Sequence, residues 1–268
     1  MPLFVIRDDN KLAGTLTDGD IRRALVNGAS LETKIDDVMH RNYRYIQGDD
    51  IDVEEIRKFR RQGITLIPWL DVNGKIRQIV DLSDNHTILP LSAILMAGGK
   101  GERLRPLTLD TPKPLLKIGE KAIIDYNIEA LARCGITNIT VTTRYLAEKI
   151  HDHFRNPVAG VKVKCVKEED ASGTIGSASL VDLPVEGYTI VMNSDLLTTI
   201  SFEDMYLHHL SNKADITIAA IPYQVSVPFA ILSTDKERAD KVIGLEEKPS
   251  YSYFANAGIY IFPNSVLR

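Results

Sequence analysis

The chain reads as an α/β protein with a mixed, mainly parallel, Rossmann-like sheet preceded by a smaller α+β domain. Three observations predict this. From Leu91 onward, short apolar runs alternate with helix-period stripes, as repeated β-α-β units with helices on both faces of a sheet require. One run, Ala93–Met96, leads straight into the glycine-rich loop Ala97-Gly98-Gly99-Lys100-Gly101-Glu102-Arg103. Residues 1–88 follow another pattern, with short strands paired around Asp, Asn and Gly turns.

Composition sets the outer limits. The chain has 268 residues, 44% hydrophobic and 25% charged, which suits one or two soluble globular domains. A net charge of -4 and a pI near 5.9 leave no basic field for nucleic acid. No apolar run is long enough to span a bilayer and no signal-peptide pattern opens the chain, so a cytoplasmic protein without membrane contact is expected. Cys134 and Cys165 lack metal-ligand spacing and read as reduced thiols on buried elements. Met1-Pro2 runs directly into Leu3–Ile6, and the chain stops soon after Ile259–Phe262; the native chain is expected to continue at both ends.

In the first unit, Phe4–Ile6 and Ala13–Leu16 read as strands around the turn Asp8-Asp9-Asn10. Asp18-Gly19-Asp20 starts a helix over Ile21–Val26 that Asn27-Gly28 closes. The pattern partly recurs: Ile64–Pro68 and Ile76–Val80 flank Asn73-Gly74, and Asp81-Leu82-Ser83-Asp84 follows. Ile51–Arg61 is a helix with charges on its outer face. This echo, and Gly14-Thr15-Leu16-Thr17-Asp18-Gly19-Asp20-Ile21-Arg22-Arg23 in particular, resembles a pair of cystathionine-β-synthase (CBS) modules. The resemblance implies that Thr17 and Asp20 hold the ribose and phosphate of a regulatory adenine nucleotide. The first copy lacks its opening helix, and the second has Asp81 where the hydroxyl belongs. Equally, Thr17 or Asp18 simply caps the helix and the unit only packs or dimerises.

Thr87–Pro90 is the join, giving domains of 1–88 and 91–268. Beyond it the expected strands are Leu91–Met96, Asn138–Thr142, Val161–Val166, Tyr188–Met192, Ile216–Ile221 and Ile259–Phe262. The expected helices are Lys121–Cys134, closed by Gly135, then Leu146–Phe154, Ile175–Leu183 and Phe202–Leu210. Ligands of such sheets bind beyond the carboxyl ends of strands, where the glycine loop and Asp195 both fall.

Glycines in the loop let backbone N–H groups approach a phosphate, and Lys100, Arg103 and Lys113 add cationic heads. This is neither Walker A nor a dinucleotide G-x-G-x-x-G. Gly98-Gly99-Lys100-Gly101-Glu102-Arg103-Leu104, with Pro106-Leu107-Thr108 and Pro112-Lys113-Pro114-Leu115-Leu116, resembles the signature of sugar-1-phosphate nucleotidyltransferases, which carry a GT-A-like fold. The likeness runs to the mannose-1-phosphate and glucosamine-1-phosphate guanylyltransferases. It implies a reaction between an NTP, with GTP favoured and the other bases left open, and a sugar 1-phosphate to give an NDP-sugar and pyrophosphate.

By that resemblance Ala97, Gly98, Gly99 and Gly101 cradle the nucleotide, while Arg103 and Lys113 are catalytic. Gly173 belongs to an element that lies against nucleobase and ribose, although Ile175 and the preceding Ala171-Ser172 depart from the family pattern. Asp195 is the implied Mg²⁺ ligand; Ser194 replaces a usual glycine, and the family's second Asp has no counterpart. Glu247 and Lys248, in Glu246-Glu247-Lys248-Pro249, and Asn256 and Gly258, in Asn256-Ala257-Gly258, take the sugar phosphate; Phe229-Ala230 stands where a Tyr-Gly pair is common. His208 and His209 are expected at the surface or an interface, and His151 and His153 carry no metal reading. A homo-oligomer is expected. The rival reading is a non-catalytic sensor that binds an adenine nucleotide through the first unit.

Overall fold

The computed structural model describes residues 2–48, 51–85, 87–169 and 173–268. The chain opens on an antiparallel hairpin of β1 (Leu3–Ile6) and β2 (Leu12–Leu16), followed by α1 (Asp18–Val26) and α2 (Ile35–Val38). A second small sheet holds β4 (Leu66–Leu70) between β3 (Ile46–Gln47), parallel to it, and β5 (Ile76–Asp81), antiparallel. Between β3 and β4 lies α3 (Val53–Arg61), whose Asp52 cap accepts from the Glu55 amide at 3.0 Å. Val53, Ile56 and Phe59 recur at helical spacing and are all buried.

The second part is built on β6 (Leu91–Ala97). A hairpin of β7 (Lys117–Ile118) and β8 (Lys121–Ala122) leads into α4 (Ile123–Arg133), then β9 (Asn138–Thr143), α5 (Ala147–His153), β10 (Lys164–Lys167) and α6 (Gly173–Gly176). There follow β11 (Tyr188–Asn193), α7 (Phe202–Ser211), β12 (Thr217–Ser226), β13 (Ile231–Thr234), β14 (Val242–Glu246), β15 (Ser250–Pro263) and α8 (Asn264–Leu267). One six-stranded sheet runs β10-β9-β6-β11-β15-β12. The first four strands are mutually parallel; β15 and β12 add antiparallel pairs. The central strands are apolar on both sides because helices cover both faces; Ile94, Leu95, Ile190 and Met192 are fully buried.

Several expectations are corrected. The helix expected over Ile175–Leu183 is only α6 plus a 3₁₀ turn, Ser177–Leu180, since glycine and serine residues give that stretch little helical preference. The strand beginning at Ile216 does not continue the parallel pattern: β12 pairs with β15, which extends back to Ser250 from the expected Ile259. His209 is not a surface residue. It is 1% exposed, its Nδ1 lies 2.8 Å from Thr217 Oγ1, and Tyr188 meets its ring edge-on. The charges of α3 are not all on a solvated face: Arg57 and Arg60 turn towards α7.

That contact docks the first unit on the sheet domain. Arg60 grips Glu203 with two parallel bonds, Nη1–Oε2 at 3.0 Å and Nη2–Oε1 at 2.9 Å. Arg57 bonds Glu203 and Asp204. Val53 joins the large core cluster that holds Phe202 and Met205. Both cysteines are free, Cys134 buried and Cys165 half-buried.

Candidate active site

Each parallel strand delivers the residues just past its carboxyl end to one cleft of about 730 Å³. From β6 comes the glycine loop, from β9 Arg144, from β10 Glu168, and from β11 Ser194 and Asp195. Lys113 and Pro114 close the side.

The loop's shape follows from its glycines. Gly101 is left-handed at φ 62°, and a Cβ there would meet Thr108 Cγ2 at 3.0 Å and Lys113 Cβ at 3.2 Å. Thr108, fully buried, bonds the Gly101 carbonyl through Oγ1 at 2.8 Å, and Tyr145 Oη bonds the Thr108 and Leu109 carbonyls. At Gly98 a Cβ would sit 3.0 Å from Glu168 Oε1, whereas at Gly99 it would meet nothing within 4 Å. Gly99 is thus the open point of the loop, where a ligand can reach the backbone.

Lys113 follows Pro112 on a 3₁₀ turn and pairs through Nζ with Asp195 Oδ2 across the cleft. Lys100 and Arg103 are exposed along its rim. Ser194 is locked at the strand end: its N–H and Oγ both donate to the Met96 carbonyl, at 3.2 and 2.6 Å.

The structure therefore brings Ala97, Gly98, Gly99, Gly101, Arg103, Lys113 and Asp195 around one space. Gly258 reaches its wall indirectly: it is left-handed at φ 74°, packs on Asn193 of the lining, and donates from its N–H to Asn256 Oδ1 at 2.8 Å. Glu247 and Lys248 are exposed on the turn after β14 and do not line the cleft. Gly173 begins α6; Ala171 and Ser172 lie outside the described residues. Thr17 and Asp20 belong to the first unit and form a capping box: the Thr17 hydroxyl donates to Asp20 Oδ2 at 2.6 Å and the Thr17 amide at 2.8 Å. Hydrogen bonds from Thr17, opposed by some burial, lower the Asp20 carboxyl below its usual range. Arg144 and Glu168 are the wall residues that motif reading missed, and their position just past strand ends was the available signal.

Among the described residues no cluster of three His, Cys, Asp or Glu could hold a metal alone. Asp195, half-buried and across the cleft from the glycine loop, would suit instead an ion that arrives on a ligand's oxygens and keeps its waters, since Mg²⁺ takes only one or two carboxylates in such sites.

A parallel sheet with a glycine loop and convergent cations at its carboxyl ends is a nucleotide-phosphate-binding architecture. The family model described as "Nucleotidyl transferase" matches residues 92–268, and the chain belongs to that family. Among its relatives is a "Probable mannose-1-phosphate guanylyltransferase 1" of Oryza sativa subsp. japonica, 32% identical over 185 residues that span 66% of this chain and 51% of the relative. A mannose-1-phosphate guanyltransferase of Debaryomyces hansenii is 30% identical over 188 residues, with the same coverage of 66% and 51%. The chain thus spans about half the length of the curated relatives it matches. The crystal structure of HddC from Yersinia pseudotuberculosis complexed with GMP-PN aligns at 24% identity and a TM-score of 0.46, over 66% of this chain and 78% of that one.

Proposed function

We propose that the cleft transfers a nucleotidyl group from an NTP to a sugar 1-phosphate. A phosphate oxygen of the sugar 1-phosphate attacks the α-phosphorus in line, the α–β phosphoanhydride bond breaks, and pyrophosphate leaves. The attacking phosphate is already ionised, so no side chain is needed as a general base; charge neutralisation and alignment carry the rate. The observation that carries this reading is the open backbone of Gly99 facing the same space as Arg103, Lys113 and Asp195.

In this reading the loop amides hold the triphosphate, Arg103 meets charge developing on the leaving pyrophosphate, and Lys113 exchanges Asp195 for the reacting phosphates. That frees the Asp195 carboxylate to hold Mg²⁺, which when bound neutralises phosphate charge. Glu247, Lys248, Asn256 and Gly258 are proposed to meet the sugar phosphate, which requires the β13–β14 region to approach the cleft. GTP is favoured, with Glu168 in the cleft wall proposed as an acceptor for the N1–H and 2-amino group of guanine, a donor pair other common bases lack. The mannose-1-phosphate guanylyltransferase relatives support the same pairing.

For the first unit the capping box supports a packing role over adenine-nucleotide binding, because Thr17 and Asp20 already satisfy each other. The test is pyrophosphate release over a panel of NTPs and sugar 1-phosphates. Release with GTP and a hexose 1-phosphate is expected; no release from any pair would end the proposal.

A further inference from the structure

The phosphate loop and the Asp195 carboxylate are joined by a short path of buried and part-buried hydrogen bonds that the reaction as described does not use. It runs from α4 to the ends of β6 and β11. Asn127 is 3% exposed and is the one polar member of the buried stripe of α4, with Ile124, Ile128 and Leu131. Its Nδ2 donates to the Ser194 carbonyl at 3.2 Å. Ser194 is 2% exposed and bonds the Met96 carbonyl twice, through its N–H and its Oγ. Met96 pairs with Asn193 in the parallel ladder and immediately precedes Ala97 and Gly98.

An apolar side chain at position 127 would pack in this stripe with no risk of a stranded polar group. A buried amide costs about 1–3 kcal/mol if its partner is lost. Its Nδ2 also lies 3.4 Å from the Ile123 carbonyl one turn back, but the shorter bond is the one that reaches 67 residues along the chain to Ser194. Ser194, for its part, spends its hydroxyl on a carbonyl that its own N–H already bonds, which stiffens the join between the two strand ends beyond what the sheet ladder supplies.

We infer that Asn127 and Ser194 are positioning residues: they fix the separation between the phosphate loop on β6 and the Asp195 carboxylate on β11, and so set how an ion on the triphosphate is met. This rests on the nucleotidyl-transfer reading. Asn127 lies outside the cleft lining, and Ser194, which borders the cleft, has its hydroxyl committed to the Met96 carbonyl rather than to substrate. Both act through backbone: Asn127 orients the peptide that leads into Asp195, and Ser194 ties that peptide to the root of the loop.

The test uses the full chain with Asn127→Leu, Ser194→Ala and Ser194→Thr. Mn²⁺ binding is followed by electron paramagnetic resonance in the presence of a non-hydrolysable GTP analogue. Analogue binding in EDTA is measured by calorimetry, and melting temperature alongside. Outer-shell changes at metal sites usually cost about 10–100-fold in affinity, so Asn127→Leu and Ser194→Ala should weaken Mn²⁺ roughly tenfold. Metal-free analogue binding should hold, and Ser194→Thr should keep wild-type Mn²⁺ affinity. If Asn127→Leu does not fold, the Ser194→Ala and Ser194→Thr pair decides. Folded variants with unchanged Mn²⁺ affinity overturn the inference. So does an equal loss of metal-free binding, which would mark general damage to the site. A wild-type chain that binds Mn²⁺ with the analogue yet releases no pyrophosphate from any substrate pair overturns the transfer reading alone.

Discussion

Replacing Arg57 and Arg60 together by alanine should loosen the first unit from the sheet domain, and the size of the effect follows from burial. The Glu203 side chain is 7% exposed and its counter-charges come from α3, with Arg57 16% and Arg60 34% exposed. Removing both leaves a buried carboxylate unpaired. Such a loss costs about 3–5 kcal/mol, and the lower end applies because truncation opens a path for water to the carboxylate. At about 2–4 °C per kcal/mol for a chain of this size, melting should fall by roughly 6–12 °C. Asp204→Ala is the contrast: with that side chain 67% exposed, its pair with Arg57 contributes under about 1 kcal/mol. The pH dependence adds a second constraint. Burial pushes the Glu203 carboxyl up, but hydrogen bonds from Arg60 and Arg57 outweigh it and hold the group below its ordinary 4.5. A lowered carboxyl stabilises fully above the ordinary value and loses that contribution as pH falls through the folded value. The gap between wild type and the double variant, read by differential scanning calorimetry, should therefore be widest near neutrality and shrink below pH 4.5. A melting shift under about 2 °C at neutral pH would refute the reasoning, since it is smaller than 1 kcal/mol predicts, and so would a gap that does not change with pH.

Arg103→Ala and Lys113→Ala should each lower turnover by about a hundredfold or more in a pyrophosphate-release assay, the scale of losing one donor to developing charge. Gly101→Ala should weaken nucleotide binding with little change in far-UV circular dichroism, because a Cβ at φ 62° sits 3.0 Å from Thr108 Cγ2 and must displace the loop. His209 is pushed down from its ordinary 6.5 chiefly by burial, and its Nε2 is buried without a partner. Stability should fall as pH drops below 6.5, where the unfolded chain takes up a proton first, and His209→Gln should flatten that slope in urea titrations read at pH 7.5 and 5.5.

What the sequence made legible is what its chemistry keeps local. The loop from Gly98 to Arg103 needs its glycines within a few residues of one another, and Lys113 follows on a proline-fixed turn, so the resemblance to the nucleotidyltransferase signature is carried by one short stretch of sequence. Asp195 was legible because a carboxylate ending an apolar strand has few other places to be. The antiparallel join of β12 to β15 was not, because an apolar run carries no sign of the direction of its neighbour. Arg57 and Arg60 read as a solvated face because their partners are 143 to 147 residues away. His209 hid for a related reason: its Thr217 partner lies past the end of its own helix, on β12.

Asn127 is the sharpest case. In a stripe of Ile124, Ile128 and Leu131 its amide looks like noise in a helical pattern, yet it is the only polar side chain among the buried residues of that helix. Periodicity tells which face of a helix is buried but not what that face meets. A polar residue on such a face is therefore a question put to the fold, and here the answer is the carbonyl next to Asp195. The same logic covers Glu203, a carboxylate buried at the first turn of α7 that makes sense only once α3 is laid against it. In both places a buried polar group marks where two distant pieces of chain must hold a fixed relation, one at the strand ends around the cleft and one at the seam between the two parts of the molecule.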